Sequence, residues 1–259
     1  EETETKYQLK VRQIESIEEF LKDNKETLLV RGQDSVIDKL VTEDEEVEKE
    51  FLNFISLMRA VKDQYEIDEM QKAIDASVRG FADMVRVFPA ATSVPRGERV
   101  IEAAFYGRAR LEGNENGYPS IVASGAHACI LHWIKNDGDV LPGDLILIDA
   151  GVEVESHYTA DITRTFPVNG KFTQAQRKIY MIVYKAQQAG IAAVKPGAKF
   201  KDFHNACMVE IARGAAELGV LPMTPEESLK PENGLHRRWQ FHGSGHHLGI
   251  DVHDCSHAR

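Results

Sequence analysis

The chain has 259 residues, with 31 Lys and Arg against 41 Asp and Glu, and a formal charge of −10. That balance argues against non-specific nucleic-acid binding, which needs a basic face, and no apolar run approaches the ~20 residues required to cross a bilayer. At 42% hydrophobic and 28% charged, the composition is that of an ordinary globular chain forming one large domain or two small ones. Cys129, Cys207 and Cys255 are odd in number and lack metal-ligand spacing, which suggests unpaired thiols in a reducing compartment and a cytoplasmic location.

Residues 1–42 mix charge with short apolar runs such as Thr27-Leu28-Leu29-Val30 and read as a last helix and strand, or as a linker. The acidic stretch at 43–50 reads as a solvated helix start. A helical pattern then runs to about Phe88, broken near Val61-Lys62-Asp63. Ile67, Met70, Ile74, Val78, Phe81, Val85 and Phe88 recur every three or four residues, which predicts one buried face. Pro89 and Pro95 punctuate its end, a second helix is expected over Glu98–Leu111, and a strand near Ser120–Ala123. Pro142-Gly143-Asp144 opens a strand over Leu145–Ile148, and Pro167-Val168-Asn169-Gly170 closes another over Ile162–Phe166. Thr173 is placed to cap a helix over Gln174–Ala193, with Lys195-Pro196-Gly197 as its stop. A further helix is predicted from Lys199 to Leu218, with Phe203, Cys207, Ile211, Ala215 and Leu218 on one face. Helix, helix, strands thus occurs over 64–168 and starts again at 173. Such a repeat of architecture predicts two similar halves around a shared site, the second one shorter.

The first strand delivers Asp149 at its end, and Asp161 leads into the second strand twelve residues later. Neighbouring strands that each present a carboxylate can bring two hard oxygen ligands to one point. The same spacing also suits two strand-end carboxylates satisfied by backbone amides. Four histidines, His242, His246, His247 and His253, fall within twelve residues among Gly243, Gly245 and Gly249. Imidazole is a common first-row-metal ligand and proton shuttle, and glycines allow close approach, so the cluster favours a metal site. A two-metal site calls for about four carboxylates to balance charge, and spacing places only two.

The segments IDAG at 148–151, DITRTFPVNGKFTQAQRKIY at 161–180 and HGSGHHLGIDVHD at 242–254 occur in one order. In that order they resemble the pita-bread metallopeptidases, most of all the Xaa-Pro aminopeptidases (aminopeptidase P) and next the prolidases. The resemblance implies an α+β pita-bread fold with pseudo-two-fold αβ halves, the second truncated here. Residues 1–50 would be the tail of an N-terminal domain and a linker, and 51–259 an incomplete catalytic domain.

The resemblance also implies two divalent metal ions, manganese first with zinc or cobalt as alternatives. Asp149 would bind one ion, Asp161 would bridge both, and His246 would be the imidazole ligand. His242 and His253 would stand behind the ligands, His253 touching the substrate carbonyl, while His132 would line the pocket and His247 would serve packing. Two further Glu ligands, in motifs resembling E-P-G and R-x-E-D, would follow the histidine segment, so the chain is expected to be part of a longer protein. The implied reaction is hydrolysis of the Xaa-Pro bond at the N-terminus of peptides by a metal-bridging hydroxide. The implied partners are peptides with proline at position two and copies of the chain in a homo-oligomer, with no nucleic acid and no membrane. The alternatives are a dipeptide-restricted prolidase and a non-catalytic pita-bread module that binds peptides or proteins.

Overall fold

The computed structural model describes residues 2–240 and 242–255. It divides into two compact units between Val61 and Lys62. The first unit is helical. It holds α1 (Glu2–Tyr7), α2 (Ile17–Asp23), α3 (Ser35–Asp38) and α4 (Glu45–Ala60). The strand expected near Thr27–Val30 does not form, and no strand lies in residues 2–61. Arg31 ties this unit together, donating to Glu48 Oε1 at 2.6 Å and to the carbonyls of Asp38 and Val41. Asp34 caps α3 by accepting from the Val36 and Ile37 amides, which holds its carboxyl below the ordinary range.

The second unit starts with α5 (Gln64–Arg86), where Asp63 and Glu66 form a reciprocal capping box. There follow α6 (Phe88–Ala91), α7 (Gly97–Glu112), β1 (Glu115–Asn116), β2 (Ile121–Ser124), β3 (Leu145–Ala150), β4 (Val152–Glu153) and β5 (Ile162–Pro167). The chain continues with α8 (Gln174–Ala193), α9 (Phe200–Glu217) and α10 (Pro225–Ser228). Thr173 caps α8 as expected, in a box with Gln176. The strands make an antiparallel sheet in the order β2-β3-β5 and a small β1-β4 pair. Among the described residues no helix is long and apolar enough to cross a membrane.

The main core lies between the sheet and the α5–α7 helices. Ile146, Ile148 and Ala150 of β3 meet Met84, Ile101 and Phe105, with Phe81 edge-on to Phe105 at 6.0 Å. The buried face of α5 differs from the predicted one. Phe81 and Phe88 are buried and Met70 and Ile74 half-buried, but Ile67, Val78 and Val85 are exposed. The buried stripe is instead Glu69, Ala73, Ala76, Ser77, Gly80, Phe81 and Met84. The reason is steric: a Cβ on Gly80 would sit 2.6 Å from the Phe105 ring, so α5 turns its small residues to its neighbours. The α8–α9 pair obeys the same rule, with Ile182 filling the space at Gly214 and Cys207 Sγ the space at Gly190. Cys207 and Ala215 of the predicted α9 face are buried, while Leu218 is exposed.

Candidate metal centre

Alternation along β3 sends Ile146, Ile148 and Ala150 into the core and leaves Leu145, Leu147 and Asp149 half-buried on the other face. Asp149 pairs in register with Thr163 of β5. Asp161 lies two residues before Thr163, so the strand period puts both carboxylates on one face as a diagonal pair. Between them the chain forms the short strand β4 and a reversal. After β4, Glu153 bridges to Thr159, and His157 takes a positive φ of 69° in the reversal. Two glycines let the backbones close up: the Gly117 amide donates to the Gly151 carbonyl at 2.9 Å, and a Cβ on Gly117 would meet Thr159 Oγ1.

That approach delivers Tyr118. Its hydroxyl stands 2.5 Å from Asp149 Oδ1 and 2.9 Å from Asp161 Oδ1. Burial, then the two carboxylate charges, push the phenol far above its ordinary pKa, so it keeps its proton to donate. Burial is also the main cause that raises the Asp149 carboxyl; the Tyr118 hydrogen bond opposes it and the Asp161 charge adds to it. One phenolic proton cannot fully satisfy two carboxylates. The arrangement therefore holds negative charge that a cation would answer.

His246 completes the group. Its Nδ1–H donates to the His247 carbonyl at 2.8 Å, which leaves Nε2 facing Asp161 Oδ2 at 3.0 Å. A lone pair aimed at a carboxylate oxygen needs a proton or a cation between them. Two carboxylates and one such imidazole are donor types that a divalent first-row metal ion takes. They form a chain, Asp149 to Tyr118 to Asp161 to His246, and among the described residues no three His, Cys, Asp or Glu side chains converge as a closed ligand cage.

Residues 68–259 match the pattern of metallopeptidase family M24. The chain belongs to that family. Xaa-Pro aminopeptidase 1 of Streptomyces coelicolor is 52% identical over 233 residues, which cover 89% of this chain and 47% of that protein. Among solved structures, a low-pH form of Escherichia coli aminopeptidase P superposes with a TM-score of 0.79 at 28% identity, covering 93% of this chain and 57% of that one. A zinc-substituted Escherichia coli aminopeptidase P in complex with product gives 0.75 at 29% identity, covering 88% and 53%. The described architecture is thus the pita-bread fold of aminopeptidase P, and this M24 chain spans about half the length of the curated relatives it matches.

The other four histidines singled out in the sequence of this M24 chain lie in separate settings. The His253 ring lies 4.1 Å from that of His246, tilted by 42° and exposed. His242 is exposed, with Nδ1 2.7 Å from the Gly243 carbonyl. His247 stacks on Phe200 at 5.0 Å. The segment that carries them is anchored by the Thr159 amide donating to Gly249 O and by Lys62 beside the buried Asp254. His132 lies apart in sequence, exposed in the loop after β2 with φ of 56°. Sequence reasoning missed Tyr118 and the Thr163 hydroxyl that also bonds Asp149. Its only signal was Gly117-Tyr118-Pro119, which reads as an ordinary turn.

Proposed function

We propose that this chain carries part of the active site of a metal-dependent exopeptidase that cleaves the bond between an N-terminal residue and a proline at position two. The observation that carries the reading is the Asp149–Tyr118–Asp161–His246 chain, in an M24 chain half identical to an Xaa-Pro aminopeptidase over most of its length. Asp149, Asp161 and His246 would hold divalent ions, with manganese, zinc or cobalt as the candidates. Bound ions would supply an activated water and Lewis-acid stabilisation of the developing oxyanion.

The chain's own residues do the rest. Asp149 and Asp161 provide the negative charge that fixes cations on the sheet, and Tyr118 holds the two carboxylates in register. His246 is kept in one tautomer by the His247 carbonyl. His253, its ring tilted against that of His246, would contact a substrate carbonyl, His242 would stand behind the ligands and His132 would line the substrate pocket.

The test is Asp161→Asn, which keeps shape and removes a charge. Metal content by elemental analysis and cleavage of Arg-Pro-Pro should both be lost, by about a hundredfold or more in rate. Full activity of the variant would overturn the site. Cleavage of Gly-Pro alone by the parent protein would move the reading to a dipeptidase, and a metal-free, inactive parent to a binding module.

A further inference from the structure

Glu98 opens α7 and is wholly buried, yet its carboxylate is fully partnered. Oε1 accepts from the Ser124 amide at 2.8 Å and from His127 Nδ1 at 2.9 Å. Oε2 accepts from Trp133 Nε1 at 2.9 Å and from the Gly138 amide at 2.8 Å. Four donors match the acceptor capacity of a carboxylate, which makes such burial tolerable. His127 and Trp133 also stack on each other, with ring centroids 3.8 Å apart.

One turn on, Glu102 accepts from Asn136, itself wholly buried with φ of 47°. The Asn136 side chain bonds the Val122 amide and the Ser120 carbonyl, on either side of Ile121. Ile121 is the register partner of Asp149. The loop from Gly125 to Asp139 therefore returns along the free edge of β2 at the level of the carboxylate pair. Between these anchors stand exposed Ile130, Leu131 and His132. A non-glycine residue at positive φ persists where its surroundings over-determine it, and His132 lies between the network residues His127 and Trp133.

We propose that Glu98 is a positioning residue: acting through Trp133, it holds His132 in its left-handed conformation beside the Asp149 row, where His132 meets the peptide substrate. The inference rests on the peptidase reading above. A polar network of this kind fixes geometry where apolar packing would fix only burial.

The experiment is a double-mutant cycle of Trp133→Phe and His132→Ala in the metal-loaded protein, read as kcat and KM on Arg-Pro-Pro, with metal content and unfolding midpoint alongside. Trp133→Phe keeps the ring stack and deletes one donor to Glu98. It should lower kcat/KM about tenfold with metal content unchanged, and lower the unfolding midpoint because the buried Glu98 loses one of its donors. In the His132→Ala background it should lower kcat/KM no further, because its effect passes through His132. His127→Phe, which removes a different donor to Glu98, carries the same cycle if Trp133→Phe does not fold. A wild-type rate in the single variants, or equal losses with and without His132, would overturn the proposal. Full activity of His132→Ala would overturn it too, and would separately remove His132 from the site.

Discussion

Gly151→Ala should damage the site from outside the ligand set. An ideal Cβ at Gly151 lies 1.6 Å from the Ala160 carbonyl oxygen and 2.5 Å from its carbon. An ordinary carbon–oxygen contact is about 3.3 Å, so the backbones must separate by roughly 1.7 Å, the difference between 3.3 and 1.6. Neither side yields easily. Ala160 is fully buried and its amide donates to Val152 O, while Gly151 O accepts from the Gly117 amide. Overpacking costs about 1–3 kcal/mol, and a backbone clash belongs at the upper end, about 3 kcal/mol of the ~5–15 that a domain has. The displaced segment runs straight into Asp161, so the carboxylate pair should open by more than the ~1 Å that can cost a hundredfold in rate. Urea unfolding reads the first effect, and calorimetric titration with Mn²⁺ reads the second as an affinity at least about tenfold weaker. Wild-type stability together with wild-type metal affinity would refute the close approach of Gly151 to Ala160 as the device that sets the pair.

Two further outcomes follow from the same geometry and from the charge network on α5 and α7. Tyr118→Phe removes the donor shared by Asp149 and Asp161, so the metal-free protein should lose about 1–3 kcal/mol, with saturating Mn²⁺ erasing most of the difference. Thermal melts with chelator and with Mn²⁺ check this, and an equal loss in both would sink it. Asp83 is held below its ordinary 3.8 chiefly by the Arg108 hydrogen bond, and Glu112 below 4.5 chiefly by Arg79, with Arg108 adding to it. Carboxyls depressed in the fold stabilise it above their unfolded pKa, and that contribution is lost as pH falls through the folded values. Arg108→Gln should therefore be less stable than the parent at pH 7, with a gap that narrows below about pH 4. Urea unfolding at pH 7 and pH 3 measures it, and a gap independent of pH would contradict the pairing.

The strands were legible because their ends are chemically marked. Pro142-Gly143-Asp144 and Pro167-Val168-Asn169-Gly170 bracket β3 and β5, and Thr173 with Gln176 announces α8. Asp149 and Asp161 could be suspected from their strand-end positions. What remained hidden was set by contacts distant in sequence. Tyr118 reaches the carboxylates only because Gly117 abuts Gly151, 34 residues away, which no local pattern encodes. Glu98 read only as the start of a helix, whereas its partners come from residues 124–138. The face of α5 was misread for a related reason. Hydrophobic periodicity tracks apolar residues, but here burial follows the small ones, Ala73, Ala76, Ser77 and Gly80, that admit Phe105 and the β4 amide.

The carboxylate pair makes most sense as a cost that the fold bears for its ligand. Burial raises the Asp149 carboxyl, and the charge of Asp161 raises it further, so ionising Asp149 works against folding at neutral pH. Tyr118 and Thr163 relieve part of that cost but bring no positive charge. Two apolar residues on the same face of β3 and β5 would hold the sheet at least as well. A cation that binds only the folded chain offsets the penalty by RT ln(1 + [L]/Kd), about 2.7 kcal/mol at a hundredfold excess over Kd. His246 fits the same logic: with Nδ1–H committed to the His247 carbonyl, its free nitrogen faces Asp161 and gains a partner only when a proton or a metal arrives. Metal binding and completion of the sheet's outer face are then one equilibrium. The histidine segment, tied to the turn by the contact of Thr159 with Gly249, is the part of the fold that such an equilibrium reaches first.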